Sequence, residues 1–304
     1  MPPWQAKVLA QQAFSLLPGG HRLNYVFQRH LTHGLPIGDE ALHDVIEIAQ
    51  RHLDGLAMHS DIPVSEGRFF EFGAGWDLHV PQVLYCLGIE RQHVVDIRRL
   101  LRTELVLDIR DRLATLDAPL VRRPPTGATE LDAYLADIGV VYDAPRDARA
   151  TGLAGGSIDF VTSTNTLEHI PREDIVRILD ECGRILSSRG AMSFQVDYKD
   201  HYSYFDRRLD AYHFLRYEDR AWRRYNPSLH YQNRLRHSDY LALYSASGFD
   251  VSVTRMEPVT EEQKVQAEAA PRASHFQGYE LDDLSQRNAI VVLTPTSRQA
   301  REHS

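Results

Sequence analysis

The sequence has few cysteines and no long apolar segment. Its 304 residues include two cysteines, Cys86 and Cys182, and both lie in apolar helical patterns. Such a pair favours buried, reduced thiols and a reducing compartment. No apolar run approaches the roughly 18 residues of a membrane-spanning helix, and the N-terminus does not have the pattern of a signal peptide. We therefore expect a cytoplasmic protein without a membrane partner.

Basic charge is also scarce. The net charge is −8, and no run of lysine or arginine exceeds two residues. Enzymes that bind nucleic acid usually present a basic face, so we expect no nucleic-acid partner. With 43% hydrophobic and 25% charged residues, the chain has an ordinary globular composition. Its length suits a domain of roughly 200 residues with additions, or two small domains.

The chain is organised around the segment Arg68-Phe-Phe-Glu-Phe-Gly-Ala-Gly-Trp-Asp77. It predicts a short buried strand that turns sharply into a helix over Leu78 to Leu87. Gly73 and Gly75 allow positive φ and a close approach of a ligand to the backbone, and the N–H groups at the helix start face that ligand. The later segment His93-Val-Val-Asp96 predicts a second strand that ends in an acid, where a carboxylate can hold ribose hydroxyls. The sequence therefore predicts a nucleoside-binding βαβ unit.

Acids on both sides of the turn indicate which nucleoside is bound. Glu71 precedes the glycines and Asp77 follows them, and negative charge there repels phosphates and attracts a cation. A dinucleotide site would also carry a third glycine or alanine where Leu78 stands. The stretch resembles motif I of class I S-adenosylmethionine (SAM)-dependent methyltransferases, with Asp77 in place of the motif's third glycine. The resemblance implies that SAM, which carries an ammonium and a sulfonium, is the cofactor.

The later strands alternate with helical patterns. The ranges 140–145, 155–163, 190–197, 248–255 and 288–294 are predicted as strands three to seven. Repeated strand–helix–strand units require a mostly parallel sheet with right-handed crossovers. We therefore expect an α/β fold with a doubly wound, mostly parallel seven-stranded sheet. The family resemblance implies a Rossmann-like methyltransferase fold whose last strand is antiparallel.

Three regions are predicted along the chain. Residues 1–60 form a helical cap, because amphipathic segments are separated by breaks at Pro18 and Gly34. Residues 61–295 form the SAM-binding domain with a substrate-cap insert at 198–240, and residues 296–304 form a disordered tail. His30 and His33 share a helix face, but no acid or cysteine stands at ligand spacing, so no metal site is expected.

The resemblance assigns the cofactor residues by position. Glu71 and the glycine turn would face the methionine part of SAM. Asp96 would hold the ribose hydroxyls, and Ile97 would pack on the adenine ring. The residues so assigned are Glu71, Gly73, Ala74, Gly75, Asp96 and Ile97. Asp147, followed by the small Ala148, lies in a loop that often meets the adenine amino group in this family; a helix-capping or turn aspartate is the alternative.

A second motif follows the predicted fourth strand. The pattern Leu167-Glu-His-Ile170 after Ser157-Ile-Asp-Phe-Val161 resembles the small-molecule branch of the family. It falls at the carboxyl end of a parallel strand, where ligands bind. The resemblance implies that Asn165 touches the cofactor. His169 would face the substrate, or be purely structural.

The insert at 198–240 is crowded with aromatic and arginine side chains. Such residues line small-molecule pockets but also form protein interfaces, and both roles are compatible here. The arginines favour a carboxylate on the substrate, because guanidinium groups bind carboxylates in a bidentate manner. The residues assigned to substrate binding are His169, Asp197, Tyr202, Tyr204, Asn233 and Arg234.

The predicted reaction is methyl transfer from SAM to a small polar, carboxylate-bearing metabolite, by a monomer or a homo-oligomer. Oxygen and nitrogen acceptors usually need a base, for which His201, Asp200 and His230 are the candidates. A thioether needs none, so S-methylation of a methionine-like amino acid is an alternative. A nicotinamide-dependent oxidoreductase and a catalytically silent SAM-binding subunit are further alternatives.

Overall fold

A seven-stranded sheet forms the centre of the molecule. The computed structural model describes residues 3–30 and 34–296. The strands are β1 Phe69–Phe72, β2 Gln92–Val95, β3 Val140–Asp143, β4 Ile158–Thr164, β5 Leu186–Asp197, β6 Phe249–Met256 and β7 Asn288–Pro295. They lie in the order β3-β2-β1-β4-β5-β7-β6, with β1 to β5 parallel and β7 antiparallel to both of its neighbours. The predicted doubly wound, mostly parallel sheet with an antiparallel last strand is confirmed.

Helices lie between most of the strands, close to where the sequence pattern predicts them. They are α1 Pro3–Ser15, α2 Gly20–His30, α3 Asp39–His59, α4 His79–Cys86, α5 Thr103–Thr115, α6 Leu131–Asp137, α7 Arg172–Ile185, α8 Asp219–Trp222, α9 His237–Ala246, α10 Glu261–Ala269 and α11 Leu281–Ser285. α4 begins one residue later than predicted, because Leu78 has a left-handed backbone with φ 53°.

Both faces of the sheet are buried. Phe70 and Phe72 of β1 pack into a core with α7 and α9, whereas Phe69 packs into a second core with α3, α4 and α5. Successive side chains of a strand point to opposite faces, so one short apolar strand supplies both cores. This arrangement places the carboxyl ends of β1, β2 and β4 side by side at one edge, where the site lies.

α3 belongs to the sheet's own core. Leu42, Ala49 and Leu56 recur every seven residues along it and are fully buried, and the helix packs against β5 and β7. A stripe at this spacing forms one continuous apolar face. The boundary predicted at residue 60 therefore does not describe α3, which is part of the sheet domain rather than of a helical cap.

The connection from α7 to β5 differs from the prediction. The fifth strand was predicted over 190–197, but β5 starts at Leu186, directly after α7. The pairing of β4 with β5 shifts between Ile158 and Phe160, which accommodates the extra residues as a bulge. Gly190 lies within this strand, where a Cβ would stand 2.6 Å from the carbonyl oxygen of Asp159.

α1 packs on the insert that follows β5. The ring of Trp4 lies 5.6 Å from that of Tyr202 and 4.9 Å from that of His213, and Trp4 and Tyr202 share a cluster with Trp222. The insert contains short helical turns and ends at Arg236, because α9 begins at His237 inside the range predicted as 198–240. We call α1, α2 and residues 198–236 the cap.

Three further predictions concern single features. Cys86 and Cys182 are free and buried, as expected. Within the described ranges, no helix has the length and apolar character to cross a membrane. His33, and residues 297–304 of the predicted tail, lie outside the described residues.

Candidate active site

A first cavity of about 440 Å³ lies at the carboxyl ends of the parallel strands. Its walls come from the ends of β1 and β2, the loop after β3 and the segment after β4. Among the residues that line it are Gly73, Asp96, Ile97, Asp147, Ala148 and Thr166. Its volume lies in the range of about 300–1,000 Å³ that is typical of small-molecule sites. Its position is the one that an open α/β sheet offers to a nucleoside.

The structure brings together only part of the predicted cofactor set. Gly73, Asp96, Ile97, Asp147 and Ala148 line the first cavity, and Ile97 is 61% exposed there, as a residue that packs on a ligand ring would be in its absence. The remaining four do not line it; they are Glu71, Ala74, Gly75 and Asn165.

The backbone of the turn at Gly73 and Gly75 has conformations that favour glycine. Gly73 has φ +88°, and a Cβ there would lie 2.3 Å from the hydroxyl oxygen of Thr166. Gly75 has φ +67° with open space around it, so its backbone conformation rather than crowding favours glycine. Leu78 also has positive φ, which costs a non-glycine residue about 1–3 kcal/mol. Its side chain is fully buried, and that burial offsets the strain.

Asp96 is the acid of this turn region that reaches the cavity. Its Oδ1 accepts the backbone N–H of Arg98 at 2.9 Å, and its Oδ2 accepts that of Gly75 at 3.3 Å. Burial raises the pKa of Asp96, while the two N–H groups oppose that shift. The carboxylate is thereby held at the end of β2, in the position from which it can accept ribose hydroxyls.

The other two acids near the turn act differently from the prediction. Glu71 is buried within β1 and accepts the hydroxyl of Thr162 at 3.0 Å, and burial raises the pKa of Glu71 to about 7. The Oδ1 of Asp77 lies 2.6 Å from Nδ1 of His79. Burial opposes ionisation of Asp77, but the charge and hydrogen bonds of His79 outweigh it and lower its pKa. Neither acid lines the cavity, so neither attracts the cofactor directly as predicted.

Asp147 is a turn aspartate that also lies in the wall of the first cavity. Its Oδ1 accepts the backbone N–H of Arg149 at 2.9 Å, which is the role of a turn aspartate, and the residue also lines the first cavity. The Arg149 guanidinium grips both carboxylate oxygens and reaches Asp174 of α7. The hydrogen bonds from Arg149 lower the pKa of Asp147. Charges on this wall are therefore paired with one another.

Asn165 lies outside the cavity. It is exposed, has φ +49°, and its side-chain oxygen accepts the amide of Gln195 at 3.2 Å. The left-handed backbone turns the chain away from β4, and the adjacent Thr166 lines the cavity instead. The structure thus places Thr166, rather than Asn165, at the cavity where the cofactor contact is predicted.

A second cavity of about 460 Å³ lies under the cap. α1 and α2 contribute Lys7, Gln11, His21 and Asn24, and the insert contributes His201, Tyr204 and His230. The residues that line both cavities are Arg98, His169, Ser228 and Tyr231. The two cavities therefore adjoin, as the donor and acceptor sites of a group transfer must.

Positive and neutral nitrogen groups dominate the second cavity. Lys7, Arg98 and four histidines line it, and none of its described lining residues is a carboxylate. Burial lowers the pKa of Lys7 to about 8, so the amino group remains mostly charged at pH 7. The cavity thus favours an anion.

Several polar atoms around this cavity have no protein partner. Oε1 of Gln11, Oδ1 of Asn24, Nε2 of His201 and Nε2 of His230 are buried without a hydrogen bond to any described residue. Buried polar groups in folded proteins are nearly always paired with protein or water. Four such atoms around one cavity indicate a site that binds a polar ligand.

The three inner histidines form a row. The ring of His201 lies 4.8 Å from that of His169 and 6.2 Å from that of His230. Desolvation of the imidazole and the nearby His201 lower the pKa of His169, although the residue as a whole is exposed. Burial together with the nearby Lys7 and histidines places the pKa of His230 well below its ordinary value. Both imidazoles are therefore neutral at pH 7.

Asp200 and Tyr202 hold the insert together instead of lining a cavity. Asp200 is fully buried and lies 2.8 Å from Nδ1 of His213, and Tyr202 donates its hydroxyl to the carbonyl of Tyr225 at 2.6 Å. Asp200 therefore cannot take a proton from a ligand in either cavity, and the prediction that it is a candidate base is wrong. The predicted substrate contact of Tyr202 is corrected to a structural hydrogen bond.

Asn233 and Arg234 are structural as well. The amide of Asn233 donates to the carbonyls of Leu167 and Ile170, each at 2.9 Å, and so fixes the segment after β4. The Arg234 guanidinium donates to two carbonyls and to Asp219 while its side chain is almost fully buried. Neither residue lines a cavity, so the substrate contacts predicted for them are corrected.

His201, His230, His169 and Tyr204 do line the second cavity, as their predicted roles require. Asp197 lies behind them: its Oδ2 is 3.6 Å from Nε2 of His201 and accepts the hydroxyl of Tyr204. Asp197 thus orients two lining residues without lining the cavity itself.

Sequence reasoning missed the contribution of the first two helices to the site. Lys7, Gln11, His21, Asn24 and Gln28 line the second cavity, together with Arg98. One signal was available: Gln11 and Asn24 are polar residues on the buried faces of their helices, which is unusual for a purely structural face.

Comparison with known proteins identifies a methyltransferase domain over part of the chain. Residues 136–194 match a family described as a methyltransferase domain. No curated protein has a significantly similar sequence. Similar solved structures include the YcgJ protein of Bacillus subtilis, at 12% identity and TM-score 0.46, covering 84% of this chain and 99% of that one.

Two further structures name an activity. One is a SAM-dependent methyltransferase from Archaeoglobus fulgidus, at 12% identity and TM-score 0.47, covering 89% of this chain and 98% of that one. The other is the phosphoethanolamine N-methyltransferase 2 of Haemonchus contortus, at 13% identity and TM-score 0.48, covering 94% of this chain and 60% of that one. Likeness at this level carries no argument about the substrate. The family match over residues 136–194, the strand order and the glycine turn beside Asp96 together indicate an enzyme with a methyltransferase domain and SAM as its cofactor.

Proposed function

We propose that the enzyme methylates a small anionic, carboxylate-bearing metabolite that binds in the second cavity. The observation that carries this proposal is the lining of that cavity, with Lys7, Arg98 and four imidazoles but no carboxylate among its described residues. An anion is the ligand such a lining attracts, and a guanidinium at the junction of the cavities suits a carboxylate. The arginines of the insert were expected to bind the substrate carboxylate. Arg98 and Lys7 line the second cavity instead, and no arginine of the insert is among its described lining residues.

SAM supplies a methyl group on a sulfonium, which is a good leaving group. The chain's own task is to align the acceptor with that methyl group, and alignment can contribute about 7–11 kcal/mol to catalysis. Arg98, His169 and Tyr231 line both cavities and so stand where the acceptor atom would meet the methyl group. Residues of the cap, Ser228 and Tyr231, contribute to this junction.

An oxygen or nitrogen acceptor must also lose a proton. His230 lines the second cavity as a neutral imidazole, and its Nε2 has no hydrogen-bond partner among the described residues. It is therefore the best-placed proton acceptor, and a positioned base of this kind contributes roughly 10²–10⁴-fold to the rate.

Methylation of a thioether remains the second candidate. A methionine-like amino acid carries the carboxylate that the cavity favours and needs no base, so the lining supports it equally. The methyltransferase-domain match over residues 136–194 favours methyl transfer over the oxidoreductase alternative. A silent SAM-binding subunit would show cofactor binding without turnover.

A panel assay tests the proposal. The purified chain is incubated with SAM and with matched sets of hydroxy acids, amino acids and phenolic acids, and the same molecules as neutral amides or esters, and S-adenosylhomocysteine is quantified. We expect turnover with an acid and at least tenfold less with its neutral counterpart. Turnover only with the neutral set, or SAM binding without turnover anywhere, would count against an anionic substrate.

A further inference from the structure

Three potential metal ligands meet at the floor of the second cavity. Glu168 and His169 lie in the turn after β4, and His201 lies in the insert after β5. One ligand atom from each lies within 4.8 Å of the other two. Both imidazoles line the cavity, whereas the carboxylate lies beneath them and is 2% exposed.

Glu168 has no evident structural partner. Both of its carboxylate oxygens are buried without a hydrogen bond to any residue that the structure describes. The carboxylate of Asp197 is also buried nearby, and the amino group of Lys199 lies 3.8 Å from it. Buried carboxylates are normally paired, or coordinate a metal. A cation would therefore find the Glu168 oxygens without a competing hydrogen bond from any described residue.

One of the two histidines is oriented as metal ligands usually are. Nδ1–H of His169 donates to the carbonyl of Tyr231 at 2.7 Å, which leaves the Nε2 lone pair free. The Asp197 carboxylate lies 3.6 Å from Nε2 of His201. A carbonyl behind an imidazole, as at His169, is an outer-shell partner of the kind that fixes the tautomer and ring orientation in metal sites, whereas Asp197 lies near His201 without a hydrogen bond to it.

We propose that Glu168, His169 and His201 bind a divalent transition-metal ion at the floor of the second cavity. Two imidazoles and one carboxylate suit Zn²⁺, Mn²⁺, Fe²⁺ or Co²⁺ and leave coordination positions open. With bonds of about 2.0–2.2 Å, the ligand atoms around such an ion lie roughly 3–4 Å apart, so binding draws these side chains slightly closer. The open positions face the cavity, where the substrate's oxygen atoms would bind; this last role alone rests on the proposed function.

The sequence pattern did not indicate this site. Glu168 and His169 are adjacent, and His201 follows about 30 residues later, after a helix and a strand. No fixed spacing of the kind found in helical or finger-type metal motifs links them. The parallel arrangement of β4 and β5 brings the two segments together.

Cobalt binding tests the proposal directly. The full chain is stripped with a chelator and titrated with Co²⁺, without SAM or substrate, while visible absorption and heat are recorded. We expect one saturable equivalent with d–d bands, displaced by Zn²⁺. Glu168→Gln and His201→Asn should each weaken binding at least tenfold and lose the bands. His21→Gln removes another histidine of the same cavity and should bind as the parent does.

The outcomes separate this inference from the proposed function. Absence of saturable binding, or equal binding in the parent and both variants, overturns the metal site, whatever the methyl-transfer assay shows. Melting curves and a parallel SAM titration verify that each variant is folded. If Glu168→Gln does not fold, His169→Asn replaces it, and unchanged cobalt binding by His169→Asn and His201→Asn would equally overturn the site.

Discussion

The two cavities of this enzyme are built in different ways. Gly73, Asp96 and Asp147 reach the first cavity from segments that directly follow β1, β2 and β3. The second cavity combines Lys7 of α1 with His230 of the insert, which are more than 200 positions apart. The sheet topology fixes the cofactor side, whereas the packing of the cap fixes the acceptor side.

The charges differ as well. On the wall of the first cavity, Arg149 pairs with Asp147 and Asp174, so positive and negative groups balance. The described residues that line the second cavity include positive side chains and imidazoles but no carboxylate. A balanced wall suits a cofactor that carries charges of both signs, and an unbalanced one selects an anion. Changes in one cavity should therefore leave binding to the other intact.

The largest effect on the cofactor side is expected from Gly73→Ala. Its Cβ would lie 2.3 Å from the Thr166 hydroxyl oxygen, at φ +88°. Such a clash displaces the turn, so we expect no measurable SAM binding by calorimetry in a protein that still unfolds cooperatively. Gly127→Ala, at a site with open space, is the matched control and should bind SAM normally. Unchanged SAM affinity in Gly73→Ala would show that the turn does not hold the cofactor.

On the acceptor side, the largest effect is expected from His230→Gln. Loss of a positioned proton acceptor should lower kcat by about 10²-fold or more for an oxygen or nitrogen acceptor. The SAM dissociation constant should not change, because His230 does not line the first cavity. His43→Gln, on the exposed side of α3, serves as the control. An unchanged kcat would refute the role of His230 and favour a thioether acceptor.

A smaller effect is expected from Lys7→Met. The variant keeps the length of the side chain but removes its charge, so KM for the acceptor should rise about tenfold, the equivalent of one charge-assisted hydrogen bond. Neither kcat nor SAM affinity should move by more than about twofold. Lys264→Met is the control, because Lys264 pairs with Asp282 away from both cavities. A rise in the SAM dissociation constant would mean that the two cavities are coupled.

The smallest effect on either cavity is expected from Glu71→Gln, whose consequence is a change in stability with pH. Burial raises the pKa of Glu71 from 4.5 to about 7, so the folded state binds this proton more tightly than the unfolded state. The free energy of unfolding should therefore fall as pH rises from about 4.5 to 7, by on the order of 3 kcal/mol, with the full penalty present above pH 7.

Glutamine stays neutral, so the variant should lose this dependence. Urea denaturation at pH 5 and pH 8 measures this dependence. Relative to the parent, the variant should be more stable at pH 8 than at pH 5. SAM affinity should change less than threefold, since Glu71 does not line the first cavity. A large loss of SAM affinity would restore the direct cofactor contact predicted for this acid.

Much of the cofactor side could be predicted because its residues are close in sequence to strand ends. The acid at the end of β2 and the glycine of the turn were both placed correctly in the first cavity. Glu71 and Asp77 were not, because their roles depend on Thr162 and His79, which bury or neutralise the carboxylates. Sequence spacing does not show which side of a strand faces a cavity edge.

The acceptor side was predicted only in part. His201 and His230 line the second cavity, but Asp200, a neighbour of His201 in sequence, turns into the interior and pairs with His213. The insert has irregular turns rather than a strand or helix period, so the direction of each side chain cannot be read from its position. The share of α1 in the site depends on long-range packing of Trp4 against the insert.

The sequence by itself indicated the class of the sheet, methyl transfer and the cofactor. Strand and helix periods are local properties, and the glycine turn and the acid after β2 lie next to the strands that position them. Tertiary structure alone decided the acceptor site, since α1, α2, the segment after β4 and the insert meet there only through burial of side chains from distant parts of the chain. Hydrophobic burial is non-directional and leaves no fixed spacing in the sequence, so such a meeting point becomes visible only once the chain is folded.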